Sequence, residues 1–84
     1  MKRIGIGVKP NNLRAVSLLT ELHAWLLRKN CSIVIDVELD IQLQCERLPI
    51  AQMPGRVDLM MVLGGDGSLL HTARHFIGSA TPIL

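Results

Sequence analysis

The sequence contains no tyrosine, one phenylalanine and one tryptophan. So few rings leave no stacking platform for unpaired bases, and a net charge of +2 leaves little attraction for a phosphate backbone. Both features argue against nucleic acid as a partner. Cysteine is scarce as well. Cys31 and Cys45 lie in unrelated segments without the close spacing of a zinc or redox pair, and they read as small hydrophobes in a reducing compartment. No apolar run approaches the ~20 residues of a membrane span. The basic start "MKRIGIGV" has too short an apolar run for a signal peptide and no cleavage site. These absences predict a cytoplasmic protein with no membrane partner.

What is present suits a globular core: 49% of the 84 residues are apolar, and the length fits a single domain. "RIGIGV" (3–8) is a short apolar run stopped by the turn-forming "KPNN", and it predicts a buried strand. Asn11 or Asn12 can cap a helix from Leu13 to Lys29, where Ala15, Leu18, Leu19, Leu22, Trp25 and Leu26 recur at helical spacing and Asn30 is the C-terminal stop. "CSIVIDV" (31–37) is β-branched and short, a second strand. Within 38–56, "ELDIQLQCERL" predicts a short helix and "PIAQMPGR" a loop. "VDLMMVL" (57–63) is a third strand, apolar almost throughout, as expected when both faces are covered. A helix beginning near Ser68 follows, with Leu69, Leu70, Ala73, Phe76 and Ile77 as its apolar positions and Gly78 as its stop. Strands alternating with helices predict a three-layer α/β, Rossmann-like domain with a mainly parallel sheet. The final "TPIL" reads as the opening of a fourth strand, so residues 1–84 are expected to be an incomplete N-terminal α/β domain, truncated before a further, β-rich one.

The chemistry concentrates where the third strand gives way to "GGDGS". In open parallel sheets, ligands bind beyond the carboxyl ends of the strands. Gly64, Gly65 and Gly67 let an anion approach the backbone without meeting a Cβ atom, and the amides at a helix start carry partial positive charge. Ser68 can cap the helix or hydrogen-bond a phosphate. A carboxylate at Asp66 repels phosphate, so it needs another purpose. It can take a proton from an attacking hydroxyl, hold a divalent cation that bridges phosphates, or merely cap the helix. The first two belong to phosphoryl transfer.

"GGDGSLL" after an apolar strand resembles the GGDGT-type signature of NAD kinases, shared in looser form with diacylglycerol and sphingosine kinases and with phosphofructokinases. "IGIGVKP", "LHAWLLRKN", "DLMMVLGGDGSLLHTAR" and "TPIL" together resemble the N-terminal domain of bacterial NAD kinases, across essentially the whole chain. Lipid kinases of the group usually carry a Glu soon after the signature, which residues 68–75 lack. Phosphofructokinases carry a glycine-rich loop after the first strand, where this chain has "KPNN". The resemblance implies transfer of a phosphoryl group from ATP, or from polyphosphate, to the 2′-hydroxyl of the adenosine ribose of NAD, giving NADP. It implies a divalent metal, with Mg2+ the natural choice, and Asp66 as the catalytic base or the group that orients the hydroxyl. Gly64, Gly65, Gly67 and Ser68 would shape the phosphate turn. The family continues beyond the equivalent of "TPIL" into the segments that grip the adenosine and complete the NAD site. The isolated chain is therefore expected to be inactive, and the full-length protein to be a homo-oligomer. A lipid kinase and a non-catalytic nucleotide-binding module are the alternatives.

Other residues allow two readings. Lys9, after the first strand, either faces the crevice beside Asp66 or is a solvated turn lysine. His71 and His75 have the spacing of a two-histidine metal site but no third ligand nearby in sequence, so no protein metal site is expected; His71 can instead line the crevice. Asp36 resembles the acidic residue that grips ribose in dinucleotide-binding dehydrogenases, but "GIGVKP" lacks the glycine pattern that reading needs. Trp25, Met60 and Met61 are expected in the core.

Overall fold

The computed structural model describes residues 2–8, 13–64 and 66–84. Four strands form one sheet: β1 (Lys2–Val8), β2 (Cys31–Asp36), β3 (Glu46–Leu48) and β4 (Leu59–Leu63). Two helices accompany it, α1 (Leu13–Arg28) between β1 and β2, and α2 (Asp66–His75) after β4. The strand order is β3-β2-β1-β4 and every pairing is parallel.

Alternation along the strands builds two cores. Ile4 and Ile6 of β1 and Ile33 and Ile35 of β2 pack with Leu19 and Leu26 of α1 on one face. On the other face, Val34 and Met60 pack with Met53, Val57 and Phe76, the last just beyond α2. Helices on both faces of a parallel sheet give the expected three layers. α1 ends as its sequence suggests: Asn30 takes a left-handed φ of 63° and donates its N–H to the Leu27 carbonyl at 3.1 Å. Gly78, at φ 82°, stops the turn after α2. Ile83 pairs in parallel with Met60, so "TPIL" lies along the outer edge of β4 in strand-like fashion.

The short helix expected in 38–48 does not form. Residues 39–45 are irregular and lead into β3. Leu39, Ile41, Leu43 and Cys45 all pack against the α1-side core, a period of two that no helix can satisfy. Arg47 fixes this path by donating from its guanidinium to the carbonyls of Leu39 (2.8 Å), Ile41 (2.7 Å) and Leu43 (3.3 Å). Beyond β3, the segment expected as a loop contains a single 3-10 turn, Ile50–Gln52. Both cysteines are free and half-buried against the α1-side core, and burial pushes the Cys45 thiol up, with Arg47 opposing in part.

Two helix faces differ from expectation. Trp25 is 48% exposed rather than core, its ring lying under the Lys29 ammonium at 5.5 Å. Met60 is fully buried and Met61 half-buried. α2 starts two residues earlier than expected, at Asp66, and turns Leu69 and Leu70 outward, with Ile77 beyond it also exposed. Its buried face is Ser68 and Thr72, continued by Phe76. No helix among the described residues is long and apolar enough to cross a membrane.

Candidate functional site

The chain runs outward from β1 through β2 to β3, then returns to lay β4 on the other side of β1. The reversal point therefore lies between β1 and β4, whose last residues, Val8 and Leu63, are register partners. Connections diverge from such a point and leave a crevice beyond the carboxyl ends. Gly64, directly after β4, and the start of α2 at Asp66 stand on the β4 side of this crevice.

Gly64 has a φ of 138°, a backbone state that L side chains rarely adopt. Gly65 and Lys9 lie outside the described residues, as does the Asp66 carboxylate; the Asp66 backbone opens α2. Gly67 and Ser68 are in the first turn of that helix and line a cleft at the end of the sheet; the first amides of a helix have no intrahelical partner and carry partial positive charge. Ser68 is only 5% exposed, and its hydroxyl has no hydrogen-bond partner among the described residues. It therefore does not cap α2.

The close seating of α2 has a specific cause. A Cβ built on Gly7 would lie 2.7 Å from Thr72 Oγ1 and 3.3 Å from Met60 Cε, so only a glycine in β1 leaves room for α2 at this depth. The sequence reading gave Gly7 no such part. Its signal was a glycine inside a strand, which often marks a close approach of another element.

Among the described residues, a cleft lies on each side of the end of the sheet. On the α2 side, a cleft of about 200 Å³ is lined by Val8, Asp36, Glu38, Gly67, Ser68 and His71, among others. Asp36 is held by a turn in which its Oδ1 accepts the Glu38 N–H at 3.1 Å. On the α1 side, a shallower cleft of about 230 Å³ joins Gly64 and Leu63 to Arg14 and Leu18. The structure thus brings Gly67, Ser68 and His71 together, with Gly64 facing the second cleft. It also adds Asp36, Glu38, Thr72 and Arg14, which the sequence reading had set aside or not considered. His71 and His75 meet edge to face with centroids 5.4 Å apart. Among the described residues, no group of three or more His, Cys, Asp or Glu side chains converges in a way that could hold a metal ion.

The sequence model of the family described as "ATP-NAD kinase N-terminal domain" matches residues 4–84. Curated relatives agree. The NAD kinase of Syntrophotalea carbinolica is 37% identical over all of this chain and 30% of its own length. The NAD kinase of Acidobacterium capsulatum is 40% identical with the same coverage, and that of Geotalea daltonii is 35% identical, again over 100% of this chain and 30% of its own. The chain thus spans about 30% of the length of the curated relatives it matches. Neither the lipid-kinase alternative nor the non-catalytic module draws support from these matches.

Proposed function

Because the chain belongs to the ATP-NAD kinase N-terminal domain family, we propose that it forms the phosphoryl-transfer wall of an NAD kinase. In this reading residues 1–84 supply the N-terminal α/β part, and further chain, as in the relatives, holds the dinucleotide. The reaction passes the terminal phosphoryl group of ATP, or of polyphosphate, to the adenosine 2′-hydroxyl of NAD. The oxygen–phosphorus bond to the ribose forms, the bond from that phosphorus to the departing ADP or shortened polyphosphate breaks, and the hydroxyl proton leaves to a base.

The observation that carries this reading is Ser68. A hydroxyl buried to 5% exposure without a partner among the described residues, in the first turn of a helix that follows a glycine turn, is a donor held ready for an anion. Phosphoryl transfer has little covalent work for a protein to do, so rigid positioning of phosphate donors is the main requirement. The backbone amides of Gly67 and Ser68 supply it, with Gly64 giving clear approach and Arg14 adding positive charge on the α1 side. Asp66 is the proton acceptor or orienting group for the ribose hydroxyl. The charge of Lys9 is a further candidate partner for the phosphates, and His71 lines the cleft beside α2.

The turn fits magnesium better than zinc. Its donors are one carboxylate, one hydroxyl and carbonyls, and magnesium takes oxygen ligands while keeping several from phosphate and water. Asp66 and Ser68 would hold it with the substrate phosphates, and it would neutralise charge on them. In this account the complete enzyme works in the cytoplasm as a homo-oligomer, with neither nucleic acid nor membrane as partner.

A chimera tests the assignment. This chain replaces the matched stretch of the Syntrophotalea carbinolica NAD kinase, and Asp66→Asn is introduced into it. Turnover should fall about a hundredfold or more, the usual scale for a positioned base, while NAD affinity changes far less. Turnover within about threefold of the unsubstituted chimera would remove Asp66 from the chemistry.

A further inference from the structure

The cleft on the α2 side carries groups that phosphate binding does not use. Asp36, at the carboxyl end of β2, and Glu38 line it opposite Ser68 and His71. Two carboxylates repel a phosphate chain, so this space suits a neutral part of a ligand that donates hydrogen bonds. The buried Ser68 hydroxyl, without a partner among the described residues, independently marks the cleft as a place where a polar group belongs. Leu39 and Ile50 give the same cleft an apolar side. At about 200 Å³ it is too small for a dinucleotide and has room for one nucleoside moiety.

We propose that this cleft is a ribose-diol subsite for an adenine nucleotide, with Asp36 as its principal acceptor. The inference rests on the proposed function, which sets the phosphates at the Gly64–Ser68 turn. A carboxylate has two oxygens and several lone pairs, so it can accept from both hydroxyls of a vicinal diol. The Glu38 N–H already holds Asp36 Oδ1 at 3.1 Å, which fixes the carboxylate before the ligand arrives. Glu38 adds a second acceptor at the exposed rim, and the base packs toward Leu39 and Ile50. A nucleotide so placed runs from the acidic end of the cleft to the amides of α2, with its charged end away from Asp36 and Glu38. The diol is that of the phosphoryl donor, because in the proposed function further chain holds the acceptor.

The test follows backbone amide shifts of the chain during titration with ATP, 2′,3′-dideoxy-ATP, tripolyphosphate, NAD or Mg2+ alone. ATP should move the amides of Glu38 and His71 as well as those of Gly64 to Ser68; tripolyphosphate should move only the latter. Removing both ribose hydroxyls should weaken binding by about tenfold or more, the loss expected for hydrogen bonds to a charged acceptor. Asp36→Asn keeps an oxygen for the Glu38 N–H, so the turn survives; it should weaken ATP by about tenfold and leave tripolyphosphate unchanged. Glu38→Gln gives the same pattern at smaller size. A loss confined to NAD would overturn the proposal, because it would give the diol to the acceptor. Equal binding of ATP and its dideoxy analogue would overturn the proposal. So would equal weakening of ATP and tripolyphosphate by Asp36→Asn, or Mg2+ binding at Glu38 that Asp36→Asn abolishes. If tripolyphosphate leaves the glycine turn untouched while the diol dependence persists, the phosphate assignment fails and the subsite stands.

Discussion

Replacing Ser68 by alanine should raise the stability of the chain and lower its affinity for phosphate. The side chain is 5% exposed and its oxygen has no partner among the described residues, so the folded state carries the desolvation of a hydroxyl without the matching bond. That deficit is worth about 1–3 kcal/mol, and alanine is also the better helix former. A gain near 1 kcal/mol corresponds to a rise in Tm of roughly 4–8 °C for a domain of this size. In the complex the sign reverses. A hydrogen bond to a charged phosphate oxygen contributes about 1.5–3 kcal/mol, so Ser68→Ala should weaken tripolyphosphate or ATP by about tenfold or more. Ser68→Thr keeps the hydroxyl and should keep the affinity. Thermal unfolding, with and without ligand, reads both effects in one sample. A lower Tm for unliganded Ser68→Ala would show that the hydroxyl already serves the fold. Unchanged affinity would show that it never meets the anion.

Two further expectations concern the scaffold that sets this geometry. Gly7→Ala should cost about 1–3 kcal/mol, because its Cβ would lie 2.7 Å from Thr72 Oγ1. Thr72→Ala in the same molecule should restore most of that loss, as read from urea midpoints; a neutral Gly7→Ala would disprove the tight seating of α2. Arg47→Ala should free the 39–43 segment, since three of its carbonyls share that guanidinium. Hydrogen exchange in the neighbouring β3 should quicken and stability drop by roughly 1–3 kcal/mol, while unchanged exchange would mean that packing alone fixes this path.

Much of this fold was legible because its period was legible. "CSIVID" and "LMMVL" could hardly be anything but buried strands, and the Leu19–Leu26 stripe marked α1. The failure in 38–48 was a misread period. Leu39, Ile41, Leu43 and Cys45 alternate with Asp40, Gln42 and Gln44, but the Glu, Gln and Leu content suggested a helix, and propensity is a weak prior against packing. The face of α2 was not available in one dimension. Leu69 and Leu70 looked like the core positions, and it is Gly7, far away in sequence, that leaves room for the Thr72 hydroxyl to be buried in their place. That local conflict is what a functional site looks like in an otherwise consistent sequence. The glycine turn announced itself by composition. The acidic wall did not, because Asp36 was weighed against a dehydrogenase pattern that this chain lacks, and only the strand order β3-β2-β1-β4 brings the end of β2 beside the start of α2.

The central claim is that this chain supplies the phosphate turn and the reacting carboxylate, while holding the NAD ribose falls to chain of the kind the relatives carry beyond the matched stretch. The direct measurement is the rate of NADP formation from NAD, ATP and magnesium by the chimera and by the 84-residue chain side by side. The account predicts turnover by the chimera and none by the chain alone, because lost orientation forfeits roughly 7–11 kcal/mol of barrier lowering. A folded chimera that makes no NADP would contradict the account, and so would an isolated chain working within about a thousandfold of it.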